Sequence, residues 1–290
     1  MTTLVQNWST GVRARGIAPI SFGISCLLIL LFVALAVLAP LLISADPFAN
    51  QLGADGKLLR YALPSLGHPF GTNAYGQDVL IQTLLGARRT VIIGIVCGAG
   101  ISILGTLVGM LSGYFGGVTE TLLVRFTDFF YAIPFLPFVL VAVHFLGTDL
   151  WAVCMSITVI FWRTSARVTR SVVLSLRERQ YVRAARAAGA GPLWILTFHI
   201  LPGVAGIALL YAVFGAAWAI LTEATLSFIG LVDPNSVSWG LMLNQVFASG
   251  AIRFAWWWVI PPGASLSILL GALFLLARSL EGFVDRRLAE

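Results

Sequence analysis

Six long apolar segments, separated by polar connections, dominate this chain of 290 residues. A helix needs about 20 mostly apolar residues to cross the hydrocarbon core of a bilayer. The segments lie at about 22–43, 91–111, 122–146, 149–169, 200–224 and 255–277. The pattern predicts an all-α membrane protein with six transmembrane helices. Because the first segment is longer than the apolar region of a signal peptide, about 7–15 residues, we interpret it as a retained span.

Glycine and proline positions predict how these spans pack and bend. The second span carries Gly94-x-x-x-Gly98 and Gly105-x-x-x-Gly109, spacings that let helices approach closely in lipid. Pro134 and Pro137 predict a kink in the third span, which a membrane helix tolerates. Pro202 lies where the first turn of the fifth span is expected, a position at which the missing N–H costs little.

Basic residues indicate the orientation of the spans. With the N-terminus inside, the cytosolic segments hold 13 of the 18 lysines and arginines, and the opposite topology would place those 13 outside, against the positive-inside rule. The cytosolic set is Arg13, Arg15, Arg125, Arg163, Arg167, Arg170, Arg177, Arg179, Arg183, Arg186, Arg278, Arg286 and Arg287. The external set is Lys57, Arg60, Arg88, Arg89 and Arg253. Both termini are therefore predicted to be cytosolic, with tails at about 1–21 and 278–290.

The spans and the connections between them are predicted to form a single domain that covers residues 1–290. Its core bundle is expected at about 91–277. The long connection at 44–90 is predicted to be external, and turn-forming residues fill its first part. Apolar residues at helical spacing from 77 to 87 predict a separate interfacial helix before the second span. The loop at 170–199, between spans four and five, is predicted to be cytosolic.

The most informative stretch of the chain is RERQYVRAARAAGAGPLWILTFHILP, residues 177–202. It reads as an arginine-rich helix that breaks at Gly189 and resumes in a second piece ending at Leu201-Pro202. A short exposed helix between spans suits docking into a groove of a soluble partner. The alternative is that the helix lies on anionic lipid, which its arginines would also suit.

Composition supports the membrane class and excludes several others. Hydrophobic residues make up 59% of the chain and charged residues 10%, against roughly 25% charged in soluble domains. The net charge of +6 is explained by topology, so we expect no nucleic-acid partner. Cys26, Cys97 and Cys154 are an odd, widely spaced set without metal-ligand or disulfide spacing.

The sequence contains no pattern that predicts catalysis by this chain. Its lysine, Lys57, has no phosphate-loop context, so ATP hydrolysis is not expected here. His68, His144 and His199 are too scattered to predict a metal or catalytic cluster, and we expect no cofactor. Few ionisable residues lie along the spans, which disfavours an ion-coupled carrier. A membrane enzyme is disfavoured because the sequence shows no catalytic motif.

Three ionisable residues at membrane depth invite a functional interpretation. Glu223, near the outer end of the fifth span, is either a group lining a transport pathway or a carboxylate hydrogen-bonded across helices. Asp128 lies one turn from Arg125, at a spacing that permits an ion pair. Arg163 is expected to extend its side chain to the inner interface.

Four motifs in order resemble the permease subunits of ATP-binding-cassette importers, specifically the C-type subunit of oligopeptide and dipeptide importers. The loop motif of those permeases appears as Arg183-Ala184-Ala185, then Gly189, then Ile200-Leu201-Pro202. The other three are the stretch from His68 to Leu80, Gly113-Tyr-Phe-Gly-Gly117 followed by Asp128, and Leu221 to Leu231 followed by Ser238-Trp239-Gly240. The resemblance as a whole covers about residues 20–287.

The resemblance implies a complex in the bacterial plasma (inner) membrane. This chain would pair with a homologous permease around one pathway, two cytosolic ATPases or one fused ATPase would bind and hydrolyse ATP, and an external binding protein would deliver peptide. The ATPase-coupling loop would use Glu178, Tyr181, Arg183, Ala184, Ala185, Gly189 and Pro202. An importer of the same architecture for nickel, haem or another small solute is the main alternative.

The chain departs from the family pattern at positions that matter. Arg183 replaces the glutamate of the loop motif, so either Glu178 substitutes for that acid or Arg183 meets an acidic groove. Gln77 stands where the family usually has arginine. The C-terminal stretch lacks the usual acidic residue after its leucines, although Asp285-Arg286 is present.

Overall fold

A computed structural model describes residues 14–289, with side chains from 20 to 282, and the regular structure in this part is helical. Ten α-helices follow one another: α1 (Ala14–Leu42), α2 (Val79–Phe115), α3 (Gly117–Ala132), α4 (Phe135–Leu146), α5 (Leu150–Leu176), α6 (Gln180–Ala187), α7 (Pro192–Ile195), α8 (Leu201–Phe228), α9 (Trp239–Ala248) and α10 (Trp256–Ala289). A π-helical segment, Leu196–Ile200, joins α7 to α8, and a 3₁₀ turn, Ala251–Arg253, precedes α10. The long helices run between two ends of a bundle. We call the end with residues 43–78 and 229–255 the loop end, and the end with residues 177–200 the basic end.

Four helical segments are long and apolar enough to cross a membrane, and the pair α3–α4 makes a fifth if its two pieces form one span. The four are Ile20–Leu42, Val79–Phe115, Pro192–Phe228 and Trp256–Gly282. The helix α5, predicted as the fourth of six spans, falls outside this set. It carries Arg163, Arg167 and Arg170, whose charges lower its hydropathy.

The predicted interfacial helix and second span form one continuous helix, α2, so the prediction of a separate interfacial helix is wrong. The carboxylate of Asp78 begins this helix by accepting hydrogen bonds from the N–H groups of Leu80 and Ile81, at 2.8 and 3.1 Å. Gly86 lies within the helix and packs against the ring of Trp239, so it does not break the chain there.

Glycines on α2 face two different helices. A Cβ on Gly94 would lie 2.8 Å from Cδ1 of Ile220 on α8, and one on Gly98 would lie 2.5 Å from the Ala212 carbonyl of the same helix. A Cβ on Gly109 would lie 2.6 Å from Cβ of Thr169 on α5. The two small-residue motifs therefore position α8 and α5 separately, which places α2 at the centre of the bundle.

The predicted third span is broken at Pro134 rather than gently kinked. The axes of α3 and α4 differ by 91°. Ile133 is extended, with φ −80° and ψ 120°, as expected for a residue that precedes proline. Pro137 lies inside α4 and does not break it.

The helix of the predicted fifth span begins well before the expected start, at Pro192, and runs to Phe228. Pro202 lies in the first turn of α8, as predicted, but α7 and the π-helical segment continue the helix on its N-terminal side. A proline inside a helix lacks an N–H and crowds the carbonyl four residues earlier, and the π-helical segment Leu196–Ile200 directly before Pro202 is the irregularity that accommodates it.

The predicted tails are only partly covered. Residues 1–13 of the N-terminal tail, and the side chains of Asp285 and Arg286, lie outside the described part. The backbone of the predicted C-terminal tail continues α10 as far as Ala289.

Candidate functional site

The short helix α6 projects from the basic end of the bundle. It follows α5 after the turn Arg177–Arg179 and precedes α7. Val182 is its sole fully buried residue and is 0% exposed. This side chain belongs to an apolar cluster drawn from α2, α5, α7, the π-helical segment and α8: Met110, Val173, Leu176, Val182, Ile195, Leu196, Ile200 and Val204. One side chain therefore anchors α6 to the ends of three long helices.

The opposite face of α6 is exposed. Tyr181 is 48% exposed, Arg183 and Ala184 are exposed, and Ala185 is half-buried. Arg183 donates from Nη2 to Oε2 of Glu178 at 3.0 Å. The acid and the base of this segment thus pair with each other at the surface.

Gly189 ends α6 in a left-handed conformation, with φ +86°. Its N–H donates to the carbonyl of Arg186, and the N–H of Ala190 donates to that of Ala185, both at 3.0 Å. This pair of bonds is the Schellman motif, in which glycine avoids the steric cost that other residues pay. The break predicted at Gly189 is confirmed.

A second set of contacts joins this segment to the end of α2. Nη1 of Arg177 donates to the carbonyl of Gly113 at 2.8 Å, and the guanidinium of Arg186 lies 5.6 Å from the ring centroid of Tyr114. Gly116 and Gly117 both have positive φ, 68° and 56°, and separate α2 from α3. The glycine-rich motif at 113–117 therefore contacts the segment around α6.

Arginines of α5 hold α3 through partners that the sequence did not indicate. Asp128 pairs with Arg167 at 3.0 Å, and among the described residues no ion pair joins it to Arg125, so the predicted pairing is wrong. Although Arg125 lies three residues before Asp128 on α3, the carboxylate pairs with Arg167 of the neighbouring helix α5 instead. Glu120 similarly pairs with Arg170.

The Arg163 side chain also turns toward α3, and its expected reach to the inner interface stays a prediction. Its Nη1 donates to the carbonyl of Phe130 at 2.7 Å. In an uninterrupted helix that carbonyl would accept from the N–H four residues later, but residue 134 is proline. The ring of Tyr131 lies close to two guanidinium groups, 4.8 Å from that of Arg163 and 4.1 Å from that of Arg167. The break in the third span is thus held by α5.

Glu223 lies in a buried polar chain near the loop end. It is 1% exposed, its Oε1 accepts from the Ser227 hydroxyl at 2.7 Å, and the Ser238 hydroxyl donates to Ser227 at 3.1 Å. Nε of Arg89, on α2, lies 3.4 Å from the same carboxylate oxygen. The hydrogen bond of Glu223 lies within α8, and its contact with another helix is the ion pair with Arg89. A role in lining the pathway stays a prediction.

The loop-end motifs also contact the bundle. Asp78, the cap of α2, accepts from Nδ1 of His68 at 2.8 Å. Trp257 at the start of α10 donates to the carbonyl of Thr72, and Trp239 donates to that of Thr83, at 3.2 and 2.8 Å. Among the residues whose side chains are described, no group of three or more His, Cys, Asp or Glu is placed to hold a metal ion.

Comparison with known proteins identifies the family. The family described as binding-protein-dependent transport system inner membrane component matches residues 105–290. The chain belongs to this family. It is a transport component of ATP-binding-cassette systems and a multi-pass inner-membrane protein, whose partners include ATPases that use ATP and a substrate-binding protein.

Individual relatives extend the similarity over most of the chain. A protein of Brucella suis named as a putative peptide transport system permease is 35% identical over 269 residues, which cover 92% of this chain and 88% of the relative. The oligopeptide transport system permease protein OppC of Haemophilus influenzae is 35% identical over 221 residues, covering 75% and 70%. The similarity thus extends over most of the helices described above.

Sequence reasoning missed the residues that connect the site to the spans. Val182 could have been found, because it is the branched apolar residue in an otherwise polar and alanine-rich stretch. The partners of Arg177, Arg163 and Arg89 could not be found in this way, since each lies on another helix.

Proposed function

We propose that this chain forms half of the translocation pathway of an ATP-driven peptide importer and that α6 is its coupling helix. The observation that carries the proposal is the two-sided character of α6. Its exposed face is free to enter a groove of a cytosolic ATPase, while Val182 is fixed among residues of α2, α5 and α8. A short rigid helix held in this way can transmit rigid-body motion to the bundle.

The proposed topology has six spans, with α3–α4 as one broken span and α5 as another. Support for α5 comes from its length of 27 residues and from its packing along the glycines of α2. Both termini and the basic end face the cytosol, since that orientation places most arginines inside. The connection 43–78 is then external.

The partners follow from the family and from the two ends of the bundle. A homologous permease completes the pathway as a heterodimer, and two ATPases or one fused ATPase engage α6. An external binding protein approaches the loop end. The names of the relatives, which refer to peptide and oligopeptide transport, support peptide as the cargo.

The site residues receive distinct roles in this proposal. Tyr181, Ala184 and Ala185 form the contact surface, and Glu178, which pairs with Arg183, takes the place of the acid in the loop motif of related permeases. Gly189 sets the angle between α6 and the stem of α8. Pro202, next to the π-helical segment, marks where that stem enters the bundle.

Co-purification tests this function. The importer is isolated through a tag on this chain, as wild type and with Arg183→Glu and Arg186→Glu combined, and bound proteins and peptide-stimulated ATP hydrolysis are measured. We expect the double reversal to release or uncouple the ATPases, whereas the matched control Arg278→Glu, another exposed arginine, leaves them bound.

Two outcomes would contradict the proposal. Transport by the reconstituted chain without ATPases would favour an ion-coupled carrier. ATP-driven uptake of nickel, haem or another small solute, with no uptake of peptides, would keep the architecture and replace the cargo.

A further inference from the structure

A cavity of about 420 Å³ lies at the loop end, where α1, α2 and α5 meet the connection before α9. Its volume falls within the range of small-ligand sites, about 300–1,000 Å³. The lining consists of Pro40, Leu85, Arg88, Arg89, Ile92, Leu150, Ser236 and Val237. It combines an apolar wall with two adjacent arginines.

The charge of this cavity is positive. Glu223 lies behind Arg89 and offsets one of the two guanidinium groups. Arg88 is exposed and forms no ion pair with any side chain in the described part. Asp149 and Asp233, close to the lining in sequence, are engaged by backbone N–H groups of Ala152 and Asn235, at 2.7 and 2.9 Å. Both carboxylates keep their charge, but neither forms an ion pair with Arg88 among the described residues.

Arg89 is held in place by its surroundings. Its side chain is 12% exposed, and its Nε and Nη2 are buried without a hydrogen-bond acceptor of suitable geometry among the described residues. The ion pair with Glu223 compensates the charge of this guanidinium, so Arg88 supplies the positive charge that is open to a further anion. The buried chain of Glu223, Ser227 and Ser238 fixes the side chain from behind.

We infer that the Arg88–Arg89 cavity is a binding site for the C-terminal carboxylate of an incoming peptide. This inference rests on the proposed peptide cargo and deepens it. Arginine presents paired N–H donors that match the two oxygens of a carboxylate. The apolar wall formed by Leu85, Ile92 and Leu150 accommodates the last side chain of the peptide. The cavity opens at the end where a binding protein would release its ligand.

The test compares a tripeptide with its C-terminal amide. The complete importer is reconstituted with its binding protein in phosphatidylcholine vesicles, and initial uptake rates are measured below saturation. The ratio of acid to amide uptake is determined for wild type and for Arg88→Gln. Because any preference of the binding protein is common to both importers, the change in this ratio isolates the contribution of Arg88.

We expect Arg88→Gln to lower the acid-to-amide ratio by roughly tenfold, the size of one charge-assisted hydrogen bond. Arg88→Lys, which keeps the charge, should retain most of the preference. Arg253→Gln, an exposed arginine at the same end outside the cavity, is the matched control and should leave the ratio unchanged.

An unchanged ratio in Arg88→Gln overturns the inference while leaving peptide import intact. Equal loss of acid and amide uptake also overturns it, since that result indicates a structural role or the binding of a lipid headgroup. If the wild-type importer takes up neither peptide, the proposed cargo itself fails.

Discussion

The hydrogen bond from Arg163 to the Phe130 carbonyl allows a quantitative test of how the broken span is held. Replacing Arg163 by Met removes the donor and keeps most of the apolar stem. A hydrogen bond to a charged group contributes about 1.5–3 kcal/mol, and a carbonyl left without a donor accounts for much of that loss. The contact with Tyr131 adds about 0.5–1 kcal/mol. We therefore expect Arg163→Met to lower the free energy of unfolding by about 2–4 kcal/mol.

Pro134→Ala supplies the second arm of the experiment. Alanine restores an N–H at residue 134 and relieves the restriction on Ile133, so the Phe130 carbonyl gains a helical donor. In this background Arg163→Met should cost only about 1 kcal/mol, the part contributed by Tyr131. The coupling between the two substitutions is then about 1.5–3 kcal/mol, within the range for residues that share a partner.

The assay is unfolding of the detergent-solubilised importer by sodium dodecyl sulfate, followed by far-ultraviolet circular dichroism. Arg167→Met is the matched control, because Arg167 also contacts Tyr131 but pairs with Asp128 instead of a backbone carbonyl. Its cost should be the same in the wild-type background and in the Pro134→Ala background. If Arg163→Met costs equally in both backgrounds, the account of the freed carbonyl is refuted.

Three further predictions concern the packing that positions the site. Val182→Ala leaves a cavity in the cluster at the basic end and should destabilise the importer by about 1–3 kcal/mol, and ATP hydrolysis should persist with reduced peptide uptake. Gly105→Leu places a side chain where even a Cβ would lie 2.7 Å from the Trp162 carbonyl. The yield of folded protein on size-exclusion chromatography should therefore fall sharply. The control is Gly263→Leu, which places its side chain in open space and should be tolerated. Trp239→Phe removes the hydrogen bond to the Thr83 carbonyl and should lower the free energy of unfolding by about 1–2 kcal/mol. The measurement is the fall in melting temperature, followed by intrinsic fluorescence.

Much of the fold could be predicted because the bilayer imposes a length on every span. The apolar segments correspond to α1, α2, α8 and α10, and the cost of leaving backbone groups unsatisfied in hydrocarbon makes them helical. Boundaries were less predictable. No glycine or proline lies between residues 87 and 91, so α2 runs through both the predicted interfacial helix and the predicted second span. Likewise, helical structure begins at Pro192, before α8 itself starts.

Within the candidate site, the sequence predicted the helix and its end but not its attachment. Gly189 is a local signal, since a left-handed residue after a helix favours glycine. The partner of Glu223 is far away in sequence, on α2, and the partner of Asp128 is on α5. Such pairings depend on which helix faces which, and neither spacing nor composition reports it.

The arginines of α5 show why a criterion based on hydropathy and charge leaves this helix out of the spans, although its apolar segment predicts one. Hydropathy assigns each arginine the cost of an isolated charge in lipid. On α5 each cation has a partner: Arg163 meets a carbonyl that a proline has left free, Arg167 meets Asp128, and Arg170 meets Glu120. A paired charge that faces another helix costs far less than an isolated one. The polar residues that lower the hydropathy of α5 are therefore the same residues that attach the broken span α3–α4 to the bundle, and we expect α5 to cross the membrane because those contacts form.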